Sequence, residues 1–402
     1  MNDILIKVKL KPGKEKHILK GHPLVFSGAI EPWEREVTAG QSADVYSSEG
    51  AWIARGLVHP TSAIAVRIYT WQQTQSLDGD FFARQIERAA AFRQSCLATP
   101  GFLEKTDAYR LVFSESDGLS GLIVDRYAGT LVVHVGSGVL TPYLEALLGA
   151  LRKATGASRL VVKADEDSIE REKLDPAALQ ALSDPVEGPV RIRENGFAFD
   201  VDVQAGQKTG FFLDQRANCA RVAAYAAGRT VLSAYCYTGG FEVYAAASGA
   251  ARITGLDRSE PALVRARENC QLNRISVPID YLRADVPEML RKYRDMGRSF
   301  DLIILDPPRF VSNRAQKEKG MRAYKDINLL ALKLLTPGGI LATFSCSGQI
   351  SIDDFKTMLA WATSDSGKTV RILETLSQPP DHPILALFPE SEYLKGLICR
   401  AE

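Results

Sequence analysis

From about Gly206 to its end the chain alternates short apolar runs with segments of helical period. "TVLSAYC", "ARITGLD", "IDYLRAD", "FDLIILD" and "GILATFSC" read as strands, with helical patterns between them. Alternation of this kind commits the segment to an α/β, doubly wound and mostly parallel sheet. Such sheets bind ligands outside the carboxyl ends of their strands. The residues at the strand ends are therefore where chemistry is to be sought.

The earlier part of the chain has a different grammar. Over residues 1–72, "ILIKVKL", parts of "QSADVYSSEGAWIARGLV" and "AIAVRIYTW" alternate at period two, which predicts a small β-rich module. "QQTQSLDGD" reads as a linker. Residues 73–188 then mix types. "FFARQIERAAAFRQSCL" and "TPYLEALLGALRKAT" are helical, "YRLVFSESDGLSGLIVDRYAGTLVVHVG" holds two strands around turns, and "SRLVVKAD" is another strand. This central part is α+β. Residues 189–402 open on a hairpin, "VRIRENGFAFDVDV", turning at Asn195-Gly196.

With 402 residues the chain is large enough for two or three domains. No stretch approaches the roughly 20 apolar residues of a membrane span. The start carries no apolar core of a secretory signal, so a cytoplasmic protein is expected. Six cysteines without a C-x-x-C pair give only weak support to zinc or iron–sulfur binding and suit reduced cytosolic thiols. A net charge of +1 gives no global nucleic-acid signal. Locally, Lys7, Lys9, Lys11, Lys14, Lys16 and Lys20 face only Asp3 and Glu15, a run that suits phosphate contact or a solvated surface.

At the first strand end, "YCYTGGFEVYAAA" places Gly239 and Gly240 where the backbone can turn sharply and approach a ligand, with a helix starting near Phe241. A tight βα turn without a ligand would explain the glycines alone. The second strand ends at Asp257, about twenty residues on, where an acidic residue accepts from ribose hydroxyls in nucleotide-binding sheets; a helix cap would explain the Asp but not its spacing. Ser259 is the expected N-cap of the next helix, with Pro261 in its first turn. The third ends at Asp285, either an acceptor for an adenine amino group or a helix cap. The fourth ends in "LDPPRF", where Asp306 sits on a loop stiffened by Pro307 and Pro308, suited to a planar base edge. The fifth ends in "SCSG". A structural cysteine would lie deeper in the apolar run, whereas Cys346 lies where a substrate can reach it.

Taken together, the glycine turn, the acidic second strand, D-P-P and S-C-S-G resemble the class I S-adenosylmethionine-dependent methyltransferases. More closely, nearly the whole chain is similar to the bacterial 23S ribosomal RNA cytosine-5 methyltransferase I family. "GHPLVFSGAI" at 21–30 is similar to that family's PUA-domain signature, and "GQKTGFFLDQR" at 206–216 to its entry into the catalytic domain. "YTGGF", "DPPRF", "YKDIN" at 324–328, "SCSG", "DHP" and "FPESEYLKG" fit too. Cys236 stands where a serine is usual, and Arg309 where lysine is commoner. The resemblance implies a Rossmann-like methyltransferase domain with a mostly parallel seven-stranded sheet, preceded by a PUA-like RNA-binding domain at 1–72 and the α+β part at 73–188. It implies a homodimer and 23S ribosomal RNA as substrate.

The resemblance also implies roles. Cys346 would attack carbon 6 of cytosine, making carbon 5 nucleophilic toward the methyl group of S-adenosylmethionine, and Asp306 would hold the base. Cys236 would line the site. Cofactor contacts would come from Phe212, Asp214, Tyr237, Thr238 and Gly239 around the first strand end. Asp257, Arg258, Asp285, Asp306 and Pro307 would supply the rest. Pro308, Arg309, Phe310, Lys208, Tyr324 and Lys325 would serve the substrate, with Arg216 as a further candidate. A base in a stack must flip out to be reached. Three other readings compete: a uracil-5 methyltransferase, which also uses a cysteine on carbon 6; an amino-group methyltransferase, which needs no thiol; and an RNA-binding protein with a decayed methyltransferase sheet. An NAD-dependent dehydrogenase is disfavoured by the incomplete glycine pattern.

Overall fold

The alternation read from residue 206 onward is present as a seven-stranded sheet. The computed structural model describes residues 5–98, 102–311 and 313–402; Asp3 lies outside them. The chain forms two compact units: Met1–Arg193 with Val201–Phe211 and Pro380–Ser391, and Glu194–Asp200 with Phe212–Pro379 and Glu392–Glu402.

The second unit holds strands β1 (Thr230–Ala234), β2 (Arg252–Asp257), β3 (Ile279–Arg283), β4 (Phe300–Leu305), β5 (Leu335–Ser345), β6 (Val370–Ser377) and β7 (Lys395–Ala401). Their order across the sheet is β3-β2-β1-β4-β5-β7-β6. The first five are parallel, and β7 runs antiparallel between β5 and β6. The order reverses between β1 and β4, and the ends of these two strands flank the crevice that such a reversal opens. The helices are α1 (Arg216–Ala223), α2 (Gly240–Ala247), α3 (Glu260–Leu272), α4 (Val286–Asp295), α5 (Lys317–Leu334) and α6 (Ile352–Ser366). Leu232, Ile303, Leu305 and Leu341 from the strands pack with Leu290, Ile327, Ala331 and Phe355 from the helices in one apolar core. Burying such side chains contributes about 1.5–3 kcal/mol each.

The sequence reading places five of these strands; β6 and β7 escape it. The residue-by-residue exposure of β6 follows no alternation, and a register shift lies between Ile372 and Glu374. An edge strand with a bulge need not alternate.

The first unit contains a five-stranded sheet in the order Ile6–Lys9, Ser42–Tyr46, Trp52–Val58, Ile64–Thr70, Leu24–Phe26. Its alternating residues, among them Ile6, Val8, Val45, Ala54 and Val66, close a small core. A four-stranded sheet follows, Ala108–Phe113, Leu122–Tyr127, Thr130–Val135 and Arg159–Lys163, packed on the helices Gly79–Cys96 and Leu144–Thr155. Where two strands are expected in "YRLVFSESDGLSGLIVDRYAGTLVVHVG", three are found. Ala128 takes a left-handed φ of 53° and turns the chain within two residues. The stretch read as a linker runs to Asp80, but the helix already begins at Gly79, capped by Asp78, whose carboxylate accepts from Phe81 N–H. The hairpin turns at Asn195 (φ 50°) and Gly196 (φ 90°), the two positive angles of a type I′ turn. Among the described residues no helix is long and apolar enough to cross a membrane.

Candidate active site

Three loops converge at the carboxyl ends of β1, β4 and β5. The β1 loop carries unusual backbone: Tyr235, Tyr237 and Gly239 have φ of 65°, 47° and 87°. Left-handed tyrosines cost energy and persist where surrounding structure over-determines them, most often at ligand sites. Gly239 is needed here for its conformation and for space. A Cβ would lie 3.1 Å from Ala266 Cβ and 3.2 Å from the Tyr281 hydroxyl, so the close approach it permits is to α3 and β3. Helix α2 starts at Gly240, with Gly239 as its N-cap and no side-chain cap bond. The hydroxyl of Thr238 is buried without a hydrogen-bond partner.

Asp257, half-buried at the end of β2, accepts from Tyr237 N–H and Ser259 N–H, both at 2.9 Å. The carboxylate therefore fixes the β1 loop and the entry to α3, and four lone-pair sites leave it room for further donors. Ser259 caps α3 by accepting from Ala262 N–H, and Pro261 stands in the first turn, as the sequence predicts. Asp285 caps α4 by accepting from Glu288 N–H at 3.2 Å, and the exposed Arg258 lies 3.9 Å from it. Phe212 meets the Tyr237 ring edge-on at 5.1 Å. Asp214 is buried and accepts from the Tyr393 hydroxyl at 2.5 Å.

At the end of β4, Asp306 is half-buried and its N–H donates to Ala234 O at 3.3 Å, tying this tip to that of β1. Pro307 is buried, Pro308 and Arg309 are exposed, and Phe310 stacks at a tilt on Tyr324, 4.8 Å between centroids. The thiol of Cys346 lies against this loop, 3.9 Å from Pro307 O. Ser345 and Ser347 beside it are fully buried, while Cys346 is partly exposed. The sulfur is at the mouth of the strand, not sealed beneath it.

The other thiol near the cofactor turn contrasts with it. Cys236 is buried, and burial, followed by the charges of Glu242 and Asp257, raises its pKa well above the ordinary thiol range. A thiol so placed stays protonated and inert.

Tyr324 is completely buried, and its hydroxyl shares a hydrogen bond with Ser347 at 2.9 Å. Its contact is thus with the loop that carries the thiol. Lys325 pairs with Asp365 of α6 at 2.6 Å. Arg216 is buried. Lys208 belongs to the first unit, exposed and left-handed with φ 51°.

Among the buried charged groups of this unit that were not singled out in the sequence are Glu242 and Lys395. Glu242 of α2 is fully buried, neither oxygen makes a well-formed hydrogen bond among the described residues, and burial, opposed by the nearby Ser233 hydroxyl, lifts its pKa to about 7. Lys395 opens β7 at 3% exposure. Their only sequence signals are a carboxylate directly after "YTGGF" and a lysine heading an apolar strand. Among the described residues no cluster of His, Cys, Asp or Glu could hold a metal ion.

Known proteins resemble this chain in sequence and in fold. A sequence profile for S-adenosylmethionine-dependent methyltransferases matches residues 116–400, and one for PUA-like domains matches residues 8–71. The chain is 43% identical to "Ribosomal RNA large subunit methyltransferase I" of Shewanella amazonensis, over 98% of this chain and 99% of that protein. It is 42% identical to the protein of the same name from Pseudoalteromonas atlantica, over 98% and 99% of the two chains. Among solved structures, a candidate S-adenosylmethionine-dependent methyltransferase from Streptococcus mutans has the same fold, with a TM-score of 0.84 at 20% identity over 98% of this chain and 100% of that one. Profile and relatives run through the glycine turn, the D-P-P loop and the S-C-S-G tip alike, and the chain belongs to the ribosomal RNA large subunit methyltransferase I family of S-adenosylmethionine-dependent methyltransferases.

Proposed function

We propose that the protein methylates carbon 5 of a cytosine in 23S ribosomal RNA through a covalent bond between Cys346 and carbon 6 of the base. The observation that carries this reading is the position of the Cys346 sulfur: partly exposed at the end of β5 and 3.9 Å from the carbonyl of Pro307 in the D-P-P loop. The printed names of the relatives, which act on large-subunit ribosomal RNA, support the substrate class.

The β1 loop fits a cofactor. Its strained backbone, the buried Thr238 hydroxyl and the start of α2 all lie at the carboxyl end of β1, where such sheets bind ligands. Tyr237, Thr238 and Gly239 would hold S-adenosylmethionine together with Phe212 and Asp214. Asp257, Arg258, Asp285, Asp306 and Pro307 complete that set. When bound, the cofactor supplies an electrophilic methyl group. The chain's own residues do the rest. The Cys346 thiolate adds to carbon 6, which leaves an enamine with a nucleophilic carbon 5. Asp306 accepts from the amino edge of the cytosine and holds the ring. After methylation the carbon 5 proton leaves, the carbon 6–sulfur bond breaks, and the thiolate is restored. Pro308, Arg309 and Phe310 shape the substrate side of the loop, and Lys208, with the lysines of the 1–72 module, meets RNA phosphate. Tyr324 and Lys325 act at one remove, through the Cys346 loop and α6. We assign RNA binding to 1–72 and catalysis to 189–402, with 73–188 between them, in a cytoplasmic homodimer.

The test is the Cys346→Ala variant assayed on 23S RNA, with trapping on RNA carrying 5-fluorocytosine. The wild type should form a denaturation-resistant adduct and Cys346→Ala should form none, with turnover reduced at least about a thousandfold. Full activity without the thiol would favour amino-group methylation. An adduct on 5-fluorouracil RNA alone would favour uracil.

A further inference from the structure

Lys395 is a buried cation with no ion pair. Its Nζ donates to Ser347 O at 2.8 Å and to Tyr393 O at 2.7 Å, and no described carboxylate lies within 4 Å of it. Its backbone stands opposite Ser345 in the β5–β7 register. The lysine thus brackets Cys346 from both sides: strand pairing fixes the residue before the cysteine, and the ammonium holds the carbonyl of the residue after it. A lysine taken out of water without a carboxylate partner is costly, so it is a poor choice for structure alone.

We infer that Lys395 is the positioning residue of the nucleophile: its ammonium stabilises the thiolate of Cys346 and locks the Ser345–Ser347 tip so that the sulfur keeps its place beside the D-P-P loop. The inference deepens the proposed reaction and rests on Cys346 being its nucleophile. A thiolate is the attacking form, and a neighbouring cation favours it over the thiol, which releases its proton to solvent. Burial lowers the lysine's own pKa to about 8, and of the charged groups around it Cys346 counts before Glu392 and Asp354 in raising it again. Asp354 is engaged elsewhere, with Lys317 at 2.7 Å and with Ser351 in the cap of α6. Asp306 precedes the Pro307 carbonyl that the thiol approaches, and a further titratable group facing the cysteine is the buried Tyr324, whose own pKa is raised by burial. A neutral phenol there adds no charge to compete with the lysine.

The experiment is the pH dependence of Cys346 alkylation by iodoacetamide in the full chain, read by peptide mass spectrometry without RNA. The wild type should titrate clearly below a free thiol's roughly 8.5. Lys395→Gln keeps donors for the two carbonyls but removes the charge. It should move the titration up by about one unit or more, which is about tenfold less thiolate at neutral pH. Lys395→Arg should restore most of the shift. Affinity for S-adenosylmethionine, unchanged across the set, shows that the sheet is intact. A Lys395→Gln profile that superimposes on the wild type overturns the inference. So does a wild-type thiol that titrates at or above 8.5, which needs no variant at all. If Cys346→Ala still methylates, the proposed reaction fails whatever the titration shows. If that variant is dead while the titration ignores residue 395, only the role of Lys395 fails.

Discussion

The two units treat buried charge in opposite ways. In the first unit buried charges are closed off by their opposites. Arg55 donates to both oxygens of Asp44 at 2.8 and 3.1 Å, Arg93 pairs with Asp117, and Arg67 reaches Glu115 and Glu172. Asp125, with no exposure, takes two bonds of 2.8 Å from Arg110 and one of 2.6 Å from Thr209. Burial alone would raise its pKa, but the charge and hydrogen bonds of Arg110 outweigh it and hold the carboxyl below the ordinary range. In the second unit Glu242 and Lys395 are just as deeply buried, yet among the described residues neither forms an ion pair. Paired buried charge specifies packing, whereas buried charge left without an ion pair beside strand tips is where a functional site is to be sought.

The contrast can be broken most forcefully in the first unit. Arg110→Met leaves the Asp125 carboxylate buried with the Thr209 hydroxyl but without its guanidinium, and should cost about 3–5 kcal/mol in urea unfolding at neutral pH. The loss should shrink as pH falls through the native pKa of Asp125, because its lowered pKa contributes stability above the unfolded value and forfeits it on protonation. A cost below about 1 kcal/mol would show that the pairing carries little.

In the second unit the sign reverses. Glu242 is easier to protonate folded than unfolded, so the cofactor-free protein should lose stability as pH rises from 4.5 toward about 7. Glu242→Gln should remove that slope and be more stable than the wild type at pH 8, by about 3 kcal/mol. Thermal unfolding at pH 5 and pH 8 measures it. A variant that is less stable at pH 8 would mean that the carboxylate has an unrecognised partner.

The smallest effect belongs to a surface pair. Lys325 and Asp365 keep 32% and 48% of their side-chain exposure at 2.6 Å, so water screens them. Lys325→Ala should change stability by less than about 1 kcal/mol. Turnover on RNA reads its proposed role separately from its ion pair.

Much of this was legible before any coordinates. The alternation placed β1 to β5, Asn195-Gly196 turned the hairpin, Ser259 capped α3, and Cys346 was located at a strand mouth. Each of these is a local rule of period, turn or cap. What was missed was non-local or irregular. β6 hides because its exposure does not alternate, and the strand beginning at Thr130 hides behind a turn on a left-handed alanine. Asp257 could be read as a ribose acceptor or a cap, and it is seen here fixing the β1 loop.

By itself the sequence determined the kind of sheet, the strand ends worth examining and the family, since apolar period and glycine, proline and cap residues act over a few neighbours. Only the tertiary structure decided that Gly239 is pressed by α3, that Glu242 is sealed from water, and that Lys395 grips the carbonyl next to a cysteine 49 residues earlier in the chain. Burial and charge depend on which distant segments the fold packs together, and no local pattern encodes that.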